Sequence, residues 1–105
     1  MDIEILETCQ KELRKFPKEV LEDFLDILAK LKNGLALSMP LSKRLSSLGA
    51  HVYELRLKDK VGIYRVIYFI RKKDAIYMVH AFTKKNQKTP KKNLDLARKR
   101  IQRLK

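Results

Sequence analysis

The sequence predicts an α+β domain in which helices pack on a small antiparallel β-sheet. Apolar residues recur at three- and four-residue steps near both ends of the chain, which is the pattern of amphipathic helices. Three consecutive segments in the second half are rich in β-branched and aromatic residues, which favour strands. The length of 105 residues corresponds to one domain, spanning residues 1–105, without room for a second folded unit.

Two helices are expected in the first third of the chain. The first covers residues 7–15 and ends before Pro17, because the residue that precedes a proline disfavours the helical conformation. The second runs from about Pro17 to Lys32 and stops at Gly34, which tolerates a left-handed backbone. Its apolar stripe is Leu21, Phe24, Leu25, Leu28 and Leu31. A short strand at Ile3–Leu6 precedes them.

Three strands are expected at residues 52–57, 62–70 and 75–82. In the first, apolar and polar side chains alternate, so that Tyr53, Leu55 and Leu57 face one way and Glu54 and Arg56 the other. The second is apolar almost throughout, as expected of a central strand that is covered on both faces. Because the connections are short, the three strands should form an antiparallel meander.

A last helix should start after Thr89-Pro90. Threonine suits the N-cap and proline suits the first helical position. Its apolar stripe is Leu94, Ala97, Ile101 and Leu104. The predicted fold is therefore a meander flanked by two N-terminal helices and one C-terminal helix.

The charge of the chain is large and uneven. Lys and Arg number 25 against 12 Asp and Glu, a net charge of +13. Residues 1–42 carry a net charge of −2, whereas residues 43–105 carry +15. This imbalance argues against an ordinary metabolic enzyme and for a polyanionic partner, either nucleic acid or an anionic membrane. The plainer alternative is that the lysines keep a small domain soluble.

Several classes of protein are disfavoured by what the sequence lacks. One cysteine, Cys9, makes no disulfide framework, and no Cys and His residues have zinc-site spacing. The acidic N-terminus is not a signal peptide and no apolar run reaches membrane-span length, so a soluble, cytoplasmic protein is expected. Motifs for metal or nucleotide catalysis are missing as well. A nuclease of this composition would work without metal, and on RNA only, because it would need the ribose 2′-hydroxyl.

Two arginines are the first candidates for chemistry. Arg65 interrupts the most apolar strand, and a guanidinium is seldom buried without a partner. It either forms an ion pair with Glu54 or binds phosphate, and the two roles are compatible. Arg56 is expected beside it on the same face, where two arginines repel each other unless they share an anion. The lysine-rich segment 83–90 before the last helix is a third, weaker candidate.

Histidine is the side chain best suited to acid–base chemistry near neutral pH. His80 lies in the third strand of the meander, where it is either such a catalyst or a structural residue.

These motifs occur in a recognisable order. Tyr53-Glu54-Leu55-Arg56 is followed by residues 64–68 (YRVIY), by His80-Ala81-Phe82, and then by Lys84-Lys85 and residues 87–90 (QKTP). Together with Met39-Pro40-Leu41 and the basic last helix, the set resembles the phage-related HigB branch of the RelE/ParE toxin superfamily. The similarity extends over nearly the whole chain.

The resemblance implies a RelE-like fold and the toxin of a type II toxin–antitoxin system. Such toxins typically are mRNA interferases, endoribonucleases that cut translated messages in the ribosomal A site without metal or cofactor. Their implied partner is a HigA-like helix-turn-helix antitoxin. Two alternatives stay open, namely a ParE-like inhibitor of DNA gyrase and a non-enzymatic inhibitor that binds RNA or the ribosome.

The resemblance also implies roles for individual residues. Arg65, Arg56, Lys84 and Lys85 match catalytic positions, and His80 is the candidate acid or base. The last helix lacks the tyrosine that some RelE-like toxins use as the base. The expected RNA contacts are Lys58, Lys60, Gln87, Lys88, Thr89, Lys91 and Lys92.

Overall fold

Five strands form one mixed sheet with helices on both of its faces. The computed structural model describes residues 2–37, 39–72, 75–84 and 89–105. In chain order, the elements are β1 (Asp2–Ile5), α1 (Glu7–Leu13), α2 (Lys18–Lys32), β2 (Ser42–Arg44), a 3-10 turn (Ser46–Leu48), β3 (Val52–Lys58), β4 (Ile63–Lys72), β5 (Ala75–Lys84) and α3 (Lys91–Gln102). The predicted α+β class is confirmed, and the architecture is consistent with a RelE-like fold.

The sheet has the strand order β1-β5-β4-β3-β2. Its centre is the predicted antiparallel meander β3-β4-β5. The expected first strand forms as well, but β1 pairs with β5 in parallel, which makes the sheet mixed. β2 lies at the other edge of the sheet and pairs antiparallel with β3. It was not predicted, because three residues are too few to give a pattern of alternation.

One face of the sheet packs against α1 and α2. Tyr53, Leu55 and Leu57 lie on this face, as their alternation predicts. The buried stripe of α2 is Val20, Phe24, Ile27 and Leu31. The predicted stripe was right for Phe24 and Leu31 and wrong for Leu25, which is 59% exposed. The helix is apolar on more than one side, so the spacing of its leucines did not settle which side faces the core.

The opposite face packs against α3 and the 3-10 turn. Ala97 and Ile101 are buried there with Leu94 and Leu104 against them, which confirms the predicted stripe. The helix starts directly after Thr89-Pro90 as predicted, but Pro90 takes the N-cap position that was assigned to Thr89, and no side chain caps the helix. The Thr89 hydroxyl instead donates a hydrogen bond of 2.7 Å to Glu54 Oε2.

The face under α3 is only partly apolar. Val52, Ile67, Phe69, Val79 and Phe82 fill its helix-covered part. The rest of the same face, towards the β3–β4 turn, carries charged residues, because Lys43 is the register partner of Glu54 and Arg56 that of Arg65. The fold thereby brings charged residues of β2, β3 and β4 together in one place. Within the described ranges, no helix is both long and apolar enough to span a membrane.

Candidate nucleic-acid interface

Two arginines lie directly opposite each other on adjacent strands, as the sequence predicts. Arg56 on β3 and Arg65 on β4 are register partners. Like charges in such a pair repel each other. Arg65 is nevertheless only 8% exposed, and its Nη1 donates hydrogen bonds to the carbonyl oxygens of Tyr64 at 3.1 Å and Leu57 at 3.5 Å. The backbone of two strands therefore holds the Arg65 guanidinium in a fixed position.

Glu54 is the counterion of Arg65. Its Oε1 lies 3.4 Å from Arg65 Nε, which confirms the ion pair that the sequence offered as one of two roles for Arg65. The carboxylate is 2% exposed, and its second oxygen accepts the hydrogen bond of the Thr89 hydroxyl. Both oxygens are thus engaged, one by a cation and one by the segment that leads into α3.

Lys84 completes the cluster from β5. It is only 5% exposed. Burial lowers the pKa of Lys84 below its ordinary value; Glu54 opposes that shift, while the positive charges of Arg65, Arg56 and Lys43 add to it. The pKa of Arg65 is also lowered, by burial and by Arg56, against the opposing effect of Glu54. We call Lys43, Arg56, Arg65 and Lys84, together with Glu54, the basic cluster.

The basic cluster contains more positive charge than it neutralises. Four cations face one carboxylate. The Nε atoms of Arg56 and Arg65 are both enclosed and have no hydrogen-bond partner among the described residues. The 3.4 Å contact of Arg65 with Glu54 is therefore an ion pair without the geometry of a hydrogen bond. Buried polar groups are usually satisfied, and a cluster with excess positive charge is suited to an anion such as phosphate.

The basic cluster borders a cleft of about 370 Å³. Arg56, Lys58 and Arg65 supply its charged side. The other lining residues are apolar: Pro40, Leu41, Leu57 and Ile63. A cleft lined by both basic and apolar residues can bind a ligand that has an anionic group and an apolar part.

The other predicted RNA contacts have different locations. Lys58 and Lys60 are exposed at the end of β3 and in the β3–β4 turn, and Lys91 and Lys92 are exposed in the first turn of α3. Thr89 is half-buried and bound to Glu54. The remaining predicted residues lie outside the described part of the chain: Lys85, Gln87 and Lys88.

His80 lies in a second polar cluster on the same strand as Lys84. Its Nδ1 is 3.0 Å from Glu12 Oε2, and its Nε2 is 2.7 Å from Asn93 Oδ1. Its ring stacks on that of Phe82, with centroids 5.3 Å apart. Arg100 Nη1 lies 3.0 Å from His80 Nδ1 and donates to Glu12 Oε1 at 2.8 Å. We call Glu12, His80, Asn93 and Arg100 the histidine cluster.

The histidine cluster joins α1, β5 and α3. The Ala81 N–H donates to Glu12 Oε1, and Arg100 Nη1 donates to the carbonyl oxygen of Val79, so both side chains satisfy backbone groups of β5. Burial opposes ionisation of Glu12, but hydrogen bonds from His80, Arg100 and the Ala81 N–H prevail and lower its pKa from 4.5 to about 2. These contacts are those of the structural alternative for His80. Its predicted role as acid or base stays a prediction.

Sequence reasoning missed Lys43 as a member of the basic cluster and the partners of His80. Lys43 lies in the short β2, and Glu12 and Arg100 are 88 residues apart in the chain. No local pattern connects such residues, because their contacts depend on the strand order. In the described segments, no three His, Cys, Asp or Glu side chains group closely enough to hold a metal ion.

Comparison with known proteins identifies the family of the chain. A search of curated protein sequences finds no match. The sequence model of the Gp49-like phage-derived proteins (DUF891), by contrast, matches residues 11–102, which is most of the chain. The protein therefore belongs to the Gp49-like family, which is part of the RelE toxin–antitoxin superfamily.

Proposed function

We propose that the protein is the toxin of a type II toxin–antitoxin system and acts as a ribosome-dependent mRNA interferase of the HigB type. The Gp49-like family is associated with toxins of toxin–antitoxin systems. The observation that carries the finer proposal is the basic cluster, in which Arg56, Arg65 and Lys84 form a partly buried site with excess positive charge. Such a site complements a phosphodiester whose negative charge grows during cleavage.

The proposed reaction is attack by a ribose 2′-oxygen on the neighbouring phosphorus. A bond forms between that oxygen and phosphorus, and the bond from phosphorus to the 5′-oxygen of the next nucleotide breaks. The 2′-hydroxyl loses its proton and the departing 5′-oxygen gains one. Arg65 and Arg56 bind the phosphate oxygens and stabilise the additional negative charge. Lys84, with Lys85 as its predicted neighbour, stabilises the leaving oxygen.

Glu54 acts through Arg65 and is a positioning residue. It is buried, its Oε1 faces Arg65 Nε and its Oε2 is occupied by Thr89. A carboxylate in this position limits repulsion within the basic cluster and fixes the direction of the guanidinium. We expect Glu54→Gln to lower cleavage by weakening the placement of Arg65, with little loss of RNA affinity.

The proposed partners follow from charge. The second half of the chain, with its net charge of +15, suits association with mRNA and ribosomal RNA in the A site. An antitoxin of the HigA type is proposed to cover the basic cluster with acidic or amphipathic residues, because complementary charge favours that face.

Primer extension on a defined message in a bacterial translation lysate tests the proposal. Wild type should cut within codons only when ribosomes are present, and Arg65→Ala should abolish the cuts. Arg71→Ala is the matched control, because Arg71 is exposed near the far end of β4. Undiminished cleavage by folded Arg65→Ala protein would overturn the proposal.

A non-enzymatic ribosome binder is the second candidate. The observation that favours it is the enclosure of His80, which is 2% exposed and bonded through both ring nitrogens. In that case the same assay would show blocked translation with an intact message. An intact message together with normal translation would direct attention to gyrase.

A further inference from the structure

The cleft beside the basic cluster is formed where β2 ends. β2 pairs with β3 only from Tyr53 to Leu55. Beyond that point a backbone hydrogen bond of 2.8 Å from the Arg56 N–H to the carbonyl oxygen of Leu41 joins β3 to the segment before β2. The cleft that Pro40 and Leu41 border here has a volume of about 370 Å³, within the range of small-ligand pockets, roughly 300–1,000 Å³.

We propose that this cleft binds a nucleobase of the RNA strand whose phosphate lies on Arg56 and Arg65. The inference rests on the proposed function in taking RNA as the ligand. It adds a base-binding subsite, and with it a source of sequence preference, to a site that is otherwise selective for phosphate alone.

The lining of the cleft complements the two parts of a nucleotide, its apolar base and its anionic phosphate. Leu41 and Ile63 are half-buried and line the space, together with the buried Leu57. The planar faces of a base are apolar and lose little by leaving water for such a surface. Arg56 and Arg65 line the same space, so that a base among the leucines would have its phosphate at the guanidinium groups.

The edge of β3 provides backbone polar groups that can form hydrogen bonds with the edge of a base. The Arg56 N–H points away from β4, since it donates to Leu41. Backbone groups alternate in direction along an antiparallel strand, so those of Lys58 also point away from β4 and towards the cleft side of β3. β2 does not extend to Lys58, whose side chain is exposed at the cleft. A backbone donor and acceptor at this edge can form hydrogen bonds with a base.

Binding of uncleavable oligonucleotides tests the subsite without ribosomes. The probes are fluorescent trinucleotides with 2′-O-methyl riboses, carrying four central bases in turn or an abasic central sugar. For wild type, we expect at least one base to bind about tenfold more tightly than the abasic probe, which corresponds to burial of roughly 55 Å² of apolar surface. Leu41→Ala should reduce that advantage to about twofold because it removes part of that surface, while affinity for the abasic probe stays the same.

Matched variants separate the cleft from the rest of the molecule. Leu25→Ala is the control, because Leu25 is an exposed leucine on α2 outside the cleft. Ile63→Ala removes the other half-buried side chain and covers the case in which Leu41→Ala does not fold, as judged by circular dichroism. A base advantage that persists in both cleft variants, or that wild type lacks, would overturn the inference.

The result for the subsite is independent of the result for cleavage. If the base advantage depends on Leu41 but no message is cut in the lysate, the subsite stands and the interferase proposal fails. If messages are cut in an Arg65-dependent way and all probes bind equally, the interferase proposal stands and the subsite is rejected.

Discussion

The basic cluster and the histidine cluster both bury charge beside β5, and they balance it differently. In the histidine cluster, Glu12 accepts hydrogen bonds from Arg100 and the Ala81 N–H, and each ring nitrogen of His80 has a partner. In the basic cluster, four cations face one carboxylate and two enclosed nitrogens have no partner in the described part of the chain. A cluster whose polar groups are paired within the protein needs no ligand, whereas a cluster with excess positive charge is suited to an anion.

The two clusters are also separate in space. His80 and Lys84 are four residues apart on one strand, which corresponds to about 13 Å. The described catalytic candidates therefore divide into two groups, Arg56, Arg65 and Lys84 in the basic cluster and His80 in the histidine cluster, of which the group with excess charge is suited to chemistry. Replacing a residue of the basic cluster should lower the cleavage rate, whereas replacing a residue of the histidine cluster should lower the stability of the fold.

Among the variants that compare the two clusters, the largest effect is expected from Lys84→Met. It should lower the single-turnover cleavage rate by about 10²–10³-fold, because this substitution removes a charge that stabilises the transition state. Arg100→Met is the matched change in the histidine cluster and should leave the rate per folded molecule within about twofold of wild type. Cleavage by both variants is measured on ribosomes, with the folded fraction determined separately. Equal reductions of the rate would contradict the division into two roles.

Glu12→Gln should give the reverse result. It removes the carboxylate that pairs with Arg100 and His80, so the free energy of unfolding should fall by about 2–3 kcal/mol. The cleavage rate per folded molecule should not change. Urea denaturation at neutral pH gives the first quantity. A Glu12→Gln protein of unchanged stability would show that the histidine cluster is not a structural joint.

The pH dependence of unfolding sharpens the same point. The pKa of Glu12 in the folded state is about 2, below its value of 4.5 when unperturbed. The carboxylate therefore contributes stability above about pH 4.5 that is lost as the pH falls towards 2. The loss should be about 2 kcal/mol after allowance for solvent screening. Urea titrations from pH 5 to about pH 2 should show it in wild type, whereas Glu12→Gln should have a flatter profile in this window.

The smallest effects are expected from the exposed lysines. Replacing Lys58, Lys60, Lys91 or Lys92 singly by alanine should weaken RNA binding a few-fold. Removal of one lysine–phosphate interaction should lower the slope of log affinity against log salt by about 0.7 for a single strand. Lys18→Ala is the control, because Lys18 is exposed at the start of α2 on the other face of the sheet. An equal change for Lys18→Ala would indicate that RNA binding follows net charge alone.

Local patterns were sufficient for most of the fold. The alternation in β3 predicted the faces of Tyr53 and Glu54, and the stripe of α3 predicted the burial of Ala97 and Ile101. Patterns failed where two sides of a helix are equally apolar. On α2, Leu25 is exposed and Ile27 is buried, although the spacing of the leucines predicted Leu25 to be buried. Patterns also failed for Thr89, whose hydroxyl binds Glu54 on another element and does not cap α3.

The candidate site could likewise be predicted only where a local pattern pointed to it. Arg65 was identified because a guanidinium in an apolar strand needs a partner, and Glu54 was named because it occupies the same face of the neighbouring strand. The position of Lys43 in the cluster and the cleft at Leu41 could not be predicted, since the short β2 and the segment before it have no hydrophobic periodicity that would place them in the fold.

By itself, the sequence determined the hydrophobic periodicity that marks each helix and strand, the excess of positive charge and the residue types available for chemistry. Those properties belong to single residues and their near neighbours, so they can be recognised without a fold. Tertiary structure alone decided that Lys84 is buried beside Arg65 with one counterion, whereas His80 is enclosed by Glu12, Asn93 and Arg100. Charge balance in a buried cluster depends on which strands and helices meet, and that is a property of the packed chain.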